Sequence, residues 1–254
     1  MTDTVLPRPW PAAPFRAQHR WDRNFFLTIV ALIWLGILMG FGPEIAHHFT
    51  AHQPPFPLIL HIHAFVFVGW LALLTTQVLL IRVRRTDLHR KLGVVVACWA
   101  VAVVVVGLAT AVIVHRLHFG TAQSDPPFIS VQIADMLAFG GLAGAAIVWR
   151  KTPSAHKRLI LLSTIFISDA GFSRWWFDGL EKLLGHGYWP FAAELYLADF
   201  LLVVAIGGYD LLTRRRLHPA FVYGAVWGLG LELIAVWLYF SPAWKPVSLA
   251  LIGH

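Results

Sequence analysis

Apolar residues fall in long uninterrupted runs along this chain, each closed by a Pro/Gly signal or a short basic cluster. The stretch from His61 to Gly93 shows the plan. Two histidines open an almost wholly apolar run, and Arg82, Arg84, Arg85, Arg90 and Lys91 close it around His89. A helix rises about 1.5 Å per residue, so a run of about twenty residues matches the roughly 30 Å hydrocarbon core of a bilayer. Seven such runs are legible, at about 25–41, 58–81, 92–114, 128–149, 159–176, 191–212 and 219–240. The third is rich in Val and Ala and would suit a buried strand if it were shorter. Its length decides for a membrane helix. The pattern predicts an all-α, polytopic bundle of seven transmembrane helices over residues 24–240. A cytoplasmic tail is expected at 1–23 and a short outer tail at 241–254.

Charge placement orients the bundle. Sixteen of the 20 Lys and Arg fall in four segments: four in the tail, then five, four and three in the turns near residues 82–91, 150–158 and 214–216. The other four are Arg116, Arg174, Lys182 and Lys245. Basic residues gather in cytoplasmic loops, so the N-terminus is expected inside and the C-terminus outside, in a bacterial-type inner membrane. Trp149, Trp175, Trp176, Trp189 and Trp244 lie near expected helix ends, where interfacial aromatics belong.

Composition agrees. Hydrophobic residues make up 58% of the 254 and charged residues 13%, against about a quarter in a soluble domain, so no separate soluble domain is expected. The net charge of +7 sits in loops between spans, which excludes nucleic acid as the reason for it and leaves the lipid bilayer as the expected partner. The single cysteine, Cys98, lies within an apolar run, and no cleavable leader is legible in the first 23 residues.

Ionisable residues inside spans are costly against lipid and mark a site by default. His63, Asp135, Asp199 and Glu232 each fall about 10–12 Å below an outer helix end, and Asp169 lies near mid-membrane in a Ser168-Asp169-Ala170-Gly171 break. Glu194 lies above Asp199, closer to the surface, with solvation the plain reading. Arg174 either serves the site or pairs locally with Asp178 at i,i+4. The inner half has nothing comparable apart from Asp210. These positions predict an outward-opening cavity with Asp135, Asp169, Arg174, Asp199 and Glu232 as ion-binding candidates. His63 and His61 are the metal candidates. Their i,i+2 spacing turns them about 200° apart on a helix, so at most one faces the cavity, and the deeper His63 is preferred. A purely structural polar network is the competing reading. The inner histidines His89, His156 and His218 read as lipid or helix-end contacts.

The inner turns RRTDLHRKLG, RKTPSAHKRL and RRRLHPAF share a basic-then-histidine order. Asp135 and Asp199 each follow an alanine and each precede the first turn arginine by fifteen residues. This is either an internal repeat or the common look of short basic turns.

The segment from His61 through Gly69-Trp70 and Gln77 to RVRRTDLHRKLG resembles a family of bacterial membrane proteins defined only as a domain of unknown function. AHKRLILLSTIFISDAGFSRWW is similar to that family's second motif. The similarity covers about residues 58–177 and implies no activity. A histidine at each end of a hairpin gives a more distant resemblance to cytochrome b561-type proteins, which hold b haems between helices. The interfacial inner histidines depart from that pattern.

Three function classes follow. The first is transport or handling of a cation, proton, small molecule or divalent metal at the acidic cavity. Nine of the 13 histidines fall on the outer side, and His with Asp suits borderline metals. The second is a haem-binding redox protein using His61 or His63 with His115 or His118. The third is an intramembrane metal-dependent enzyme with an activated water at His63. No HExxH, GxSxG or nucleotide loop supports the third. Substrate, pathway and oligomeric state are not legible.

Overall fold

The computed structural model describes residues 15, 16 and 18–254, and the expected tail at residues 1–14 and 17 lies outside the described residues. The described chain is all-helical. Its elements are α1 (Asp22–Thr50), α2 (Leu58–Arg82), α3 (Thr86–His118), α4 (Ile129–Val148), α5 (Pro153–Ile165), α6 (Asp169–Leu184), α7 (Tyr188–Arg214), α8 (Pro219–Phe240) and α9 (Trp244–Ile252). A single 3-10 turn at Pro126–Phe128 leads into α4. Six helices are long and apolar enough to cross a bilayer: α1, α2, α3, α4 with its leading turn, α7 and α8. The protein is therefore consistent with a multi-pass membrane protein in a lipid environment. Large apolar side chains such as Leu58, Phe49 and Leu212 point outward from the bundle.

The expected run at 159–176 is not one helix, which corrects the count of seven continuous spans. α5 stops at Ile165, and through Phe166–Ser168 the backbone turns with i→i−3 bonds from Ile167 N–H to Thr164 O and from Ser168 N–H to Ile165 O. The Ser168 hydroxyl also donates to Ile165 O at 2.8 Å, the local competition by which serine weakens a helix. Irregular backbone at membrane depth survives only when protein covers it. Here Phe166 is buried, and Thr164 Oγ1 accepts the indole N–H of Trp70 at 3.1 Å.

Two other boundaries differ from the sequence reading. α1 does not end at Gly42-Pro43 but runs through Pro43 to Thr50. Proline removes one helical hydrogen bond without ending this helix, whose far end is anchored by buried His48 stacked on Phe56 at 3.7 Å. α3 begins at Thr86, so Arg90 and Lys91 lie on its first turns rather than in a loop. The tail expected at 241–254 contains a helix, α9, which packs on the 3-10 turn, α3 and α8.

Neighbours in the bundle are α2 with α3, α3 with α4, α4 with α5 and α8, α1 with α6 and α2, and α7 with α6 and α8. The α1/α6 crossing is set by glycine. A Cβ on Gly40 would lie 2.0 Å from the Gly171 carbonyl oxygen, so the two backbones touch there. Gly36 and Gly40 form the small-xxx-small spacing that brings membrane helices this close. Because Gly171 is two residues beyond Asp169, this contact also fixes where α6 begins.

Candidate functional site

Asp135, Asp169, Asp199 and Glu232 come from four elements (α4, α6, α7 and α8) and converge in the bundle interior. Asp199 is 0% exposed, Asp169 3% and Glu232 5%, while Asp135 is half-buried. Asp135 lies in the electrostatic field of Asp169 and Glu232, and the carboxyl groups of Asp199 and Glu232 face each other. Asp169 opens α6, where its carboxylate meets the backbone N–H groups of Asp169 and Ala170 at a helix N-terminus. The positive end of the helix dipole favours an anion at that position. The break at 166–168 creates that N-terminus, so the interruption and the acid belong to one feature.

The polar atoms of this cluster are under-satisfied. Asp169 Oδ1, both carboxyl oxygens of Asp199, Glu232 Oε1 and the Tyr196 hydroxyl are buried without a hydrogen-bond partner among the described residues. Burying such groups unpaired costs on the order of 1–3 kcal/mol each, and such orphans are rare in native interiors. Tyr196 was not anticipated from the sequence. It lies three residues before Asp199, one turn along the same face of α7, and its hydroxyl sits in the field of all four acids. That i,i+3 spacing was the signal available.

The other candidates stand outside this set, though Arg174 is close enough to act electrostatically on Asp169 and His63. Arg174 is surface-exposed and paired with Glu44 of α1 at 3.0 Å rather than with Asp178, and it stands over the Phe41 ring. His61 is exposed, with Nδ1 3.3 Å from Pro57 O. His63 is half-buried, stacked on Phe67 at 4.0 Å, with Nδ1 unpartnered. The two rings thus differ in environment, as their spacing requires. Of the haem-ligand candidates, His115 contacts Gln132 Oε1 at 2.9 Å. Among the described residues no group of three or more His, Cys, Asp or Glu forms a metal-holding arrangement. Glu194, read as solvated, is only 4% exposed. Asp169, Asp199 and Glu232 are enclosed by protein, while Asp135 is partly exposed.

A second charged group, at the basic end of the bundle, corrects the reading that Asp210 stands nearly alone there. Arg158 Nε donates to Asp210 Oδ2 at 2.6 Å, its second terminal nitrogen chelates Oδ1, and both side chains are fully buried. Asp22 accepts from Arg214 (2.8 Å), Lys157 (2.6 Å) and Tyr209 (2.6 Å). Three elements (α1, α5 and α7) are thereby joined. His218, taken from the sequence as an interfacial contact, is part of this end. Its Nδ1 caps α8 by accepting from Ala220 N–H at 3.1 Å, and Nε2 lies 3.2 Å from Ser154 Oγ. Burial and then the neighbouring Arg158 guanidinium push its pKa down to about 4, so the ring stays neutral at neutral pH and free to accept. The sequence hides this network because its basic members look like ordinary positive-inside residues.

Comparisons with protein-family models, with curated proteins and with solved structures give no match.

Proposed function

We propose that this chain is an integral protein of a bacterial-type inner membrane and that its buried acidic cluster is a proton- or cation-binding station serving transport of a small ion or molecule. The observation that carries the reading is the set of four carboxyl groups on four elements, within one another's electrostatic field and without a cation for each, beside an interrupted helix. Carboxylates gathered away from water cannot all stay ionised, because burial and like charge both disfavour the charged form. Captured protons or a cation must compensate them. Arg174 pairs with Glu44 at the surface and acts on Asp169 alone among the four acids, so it cannot compensate the whole set. Interrupted helices whose half-helix ends meet ionisable groups recur at transporter binding sites. The absence of a convergent metal-ligand group among the described residues makes a proton the better occupant than a divalent metal.

In this reading the chain crosses the membrane seven times, with α5 and α6 together forming the fifth crossing, the N-terminus inside and the C-terminus outside. The split of Lys and Arg supports it. Reporter fusions after residue 20 and near Thr86, Thr152 and Arg215 are expected to report cytoplasm. Fusions near Gln53, Ser124, Gly185 and the C-terminus are expected outside. A cytoplasmic C-terminus would remove one crossing and overturn the topology. The resemblance of residues 58–177 to bacterial membrane proteins of unknown function belongs to the same proposal and adds no activity.

Function is tested in vesicles. Purified protein in sealed liposomes is expected to pass protons or a proton-linked cation when a pH gradient is imposed. Asp199→Asn, which keeps shape and removes charge, is expected to abolish at least nine-tenths of that flux while preserving monodisperse protein. A variant that folds and keeps full flux would reduce the cluster to a structural network.

A further inference from the structure

Two apolar grooves run along opposite sides of α7 toward the basic end. One, of about 510 Å³, lies between α1 and α7 and is lined by Trp21, Phe25 and Leu212. The other, of about 690 Å³, lies between α7 and α8 and is lined by Leu211, Leu217 and Phe221. Gly208 lines both. A Cβ on its neighbour Gly207 would meet the Phe221 ring at 3.0 Å, which gives that glycine a packing role. A Cβ on Gly208 would meet nothing within 4 Å. Glycine inside a helix costs about 1 kcal/mol relative to alanine, and no protein contact requires it at 208. Gly208 is the residue the two grooves share, and its bare backbone leaves room on both sides of α7.

Arginines adjoin groove-lining residues along the chain. α7 ends at Arg214, and Arg215 follows as its left-handed C-cap, just past Leu211 and Leu212. Arg215 is exposed and Arg216 half-buried, and the exposed Arg20 stands over the Trp21 ring at 5.1 Å. The nearby acids are already engaged: Asp22 by Lys157 and Arg214, and Asp210 by Arg158. Arg20, Arg215 and Arg216 make no ion pair among the described residues. Two apolar grooves that share Gly208, beside guanidinium groups that make no ion pair among the described residues, match one kind of molecule.

We propose that this is a binding site for a two-chain anionic phospholipid, one acyl chain on each side of α7 and the phosphate held by Arg20, Arg215 and Arg216. A phosphate is recognised bidentately by guanidinium groups, and each basic residue near a lipid surface contributes about 1 kcal/mol toward anionic lipid. A neutral zwitterionic lipid would fill the same grooves without that contribution.

The test titrates detergent-purified full-length protein with dioleoyl phosphatidylglycerol or dioleoyl phosphatidylcholine, reading bound lipid by native mass spectrometry. The anionic lipid is expected to bind more tightly, and each of Arg20→Gln, Arg215→Gln and Arg216→Gln to reduce that preference about fivefold. Gly208→Leu, filling the grooves, is expected to displace both lipids. If that variant is not monodisperse, Gly208→Ala serves, with partial displacement expected. Glycerol 3-phosphate is expected not to compete, because it lacks the chains. Equal binding of the two lipids by the unaltered protein would overturn the proposal. So would unchanged preference in the arginine variants, unchanged binding in a well-folded Gly208 variant, or competition by glycerol 3-phosphate, which would mark a free-phosphate site.

Discussion

Arg158→Met is expected to cost about 3–5 kcal/mol and to leave little monodisperse protein, because it strands the Asp210 carboxylate in the interior. Asp210 is fully buried, and its nearest other cation, Arg214, lies 3.6 Å away and is committed to Asp22. The double change Arg158→Met with Asp210→Leu removes both charges together and is expected to recover most of the loss. A buried ion pair replaced whole by apolar groups of similar volume is often neutral, whereas a half-removed one is not. Thermal unfolding in detergent measures both. If the single change costs no more than the double, the network is not the clamp described here.

The second large effect is at the α1/α6 crossing. Gly40→Ala places a methyl group against the Gly171 carbonyl, a backbone atom that no rotamer change can move aside. The helices must separate, at a cost of about 1–3 kcal/mol for overpacking. Because Gly171 follows Asp169 so closely, the start of α6 shifts as well, and ion flux is expected to fall in a variant that alters no acid. Gly42→Ala is the control. It lies on the same helix with nothing within 4 Å of the added atom, and it is expected to be neutral or slightly stabilising. Equal unfolding midpoints and equal flux for the two variants would contradict the contact.

The helical plan was legible because hydrophobic length is a one-dimensional property: four runs became helices near their expected limits, and α1 and α3 extend beyond theirs. The break at Ser168-Asp169 was also legible, from small and polar residues in an apolar run. Its consequence was not, since whether a break divides a helix depends on what covers it, here Phe166 and the Trp70–Thr164 bond. Pro43 misled in the opposite direction: the local signal says stop, and the helix passes through. Helical rise placed Asp135, Asp169, Asp199 and Glu232 at similar depth, and the fold brings them together. Rise says nothing about rotation between helices, so the enclosure of Asp169, Asp199 and Glu232 and the contribution of Tyr196 appear only in three dimensions. Arg174 went to Glu44 instead of Asp178 because its α1 neighbour was not deducible from spacing along α6. The Arg158–Asp210 clamp escaped notice because basic residues beside a turn have a topological explanation that conceals a second one.

The buried cluster is proposed to hold a proton or a captured cation at neutral pH. Infrared spectroscopy of the carboxyl C=O stretch in purified protein at neutral pH, compared with Asp199→Asn and Glu232→Gln, tests it most directly. A protonated-carboxyl band is expected in the unaltered protein and expected to weaken in one or both variants, or, where a cation compensates instead, to emerge when cations are removed. Four fully ionised carboxylates at neutral pH, in cation-free buffer and with no protonated band in any variant, would contradict it.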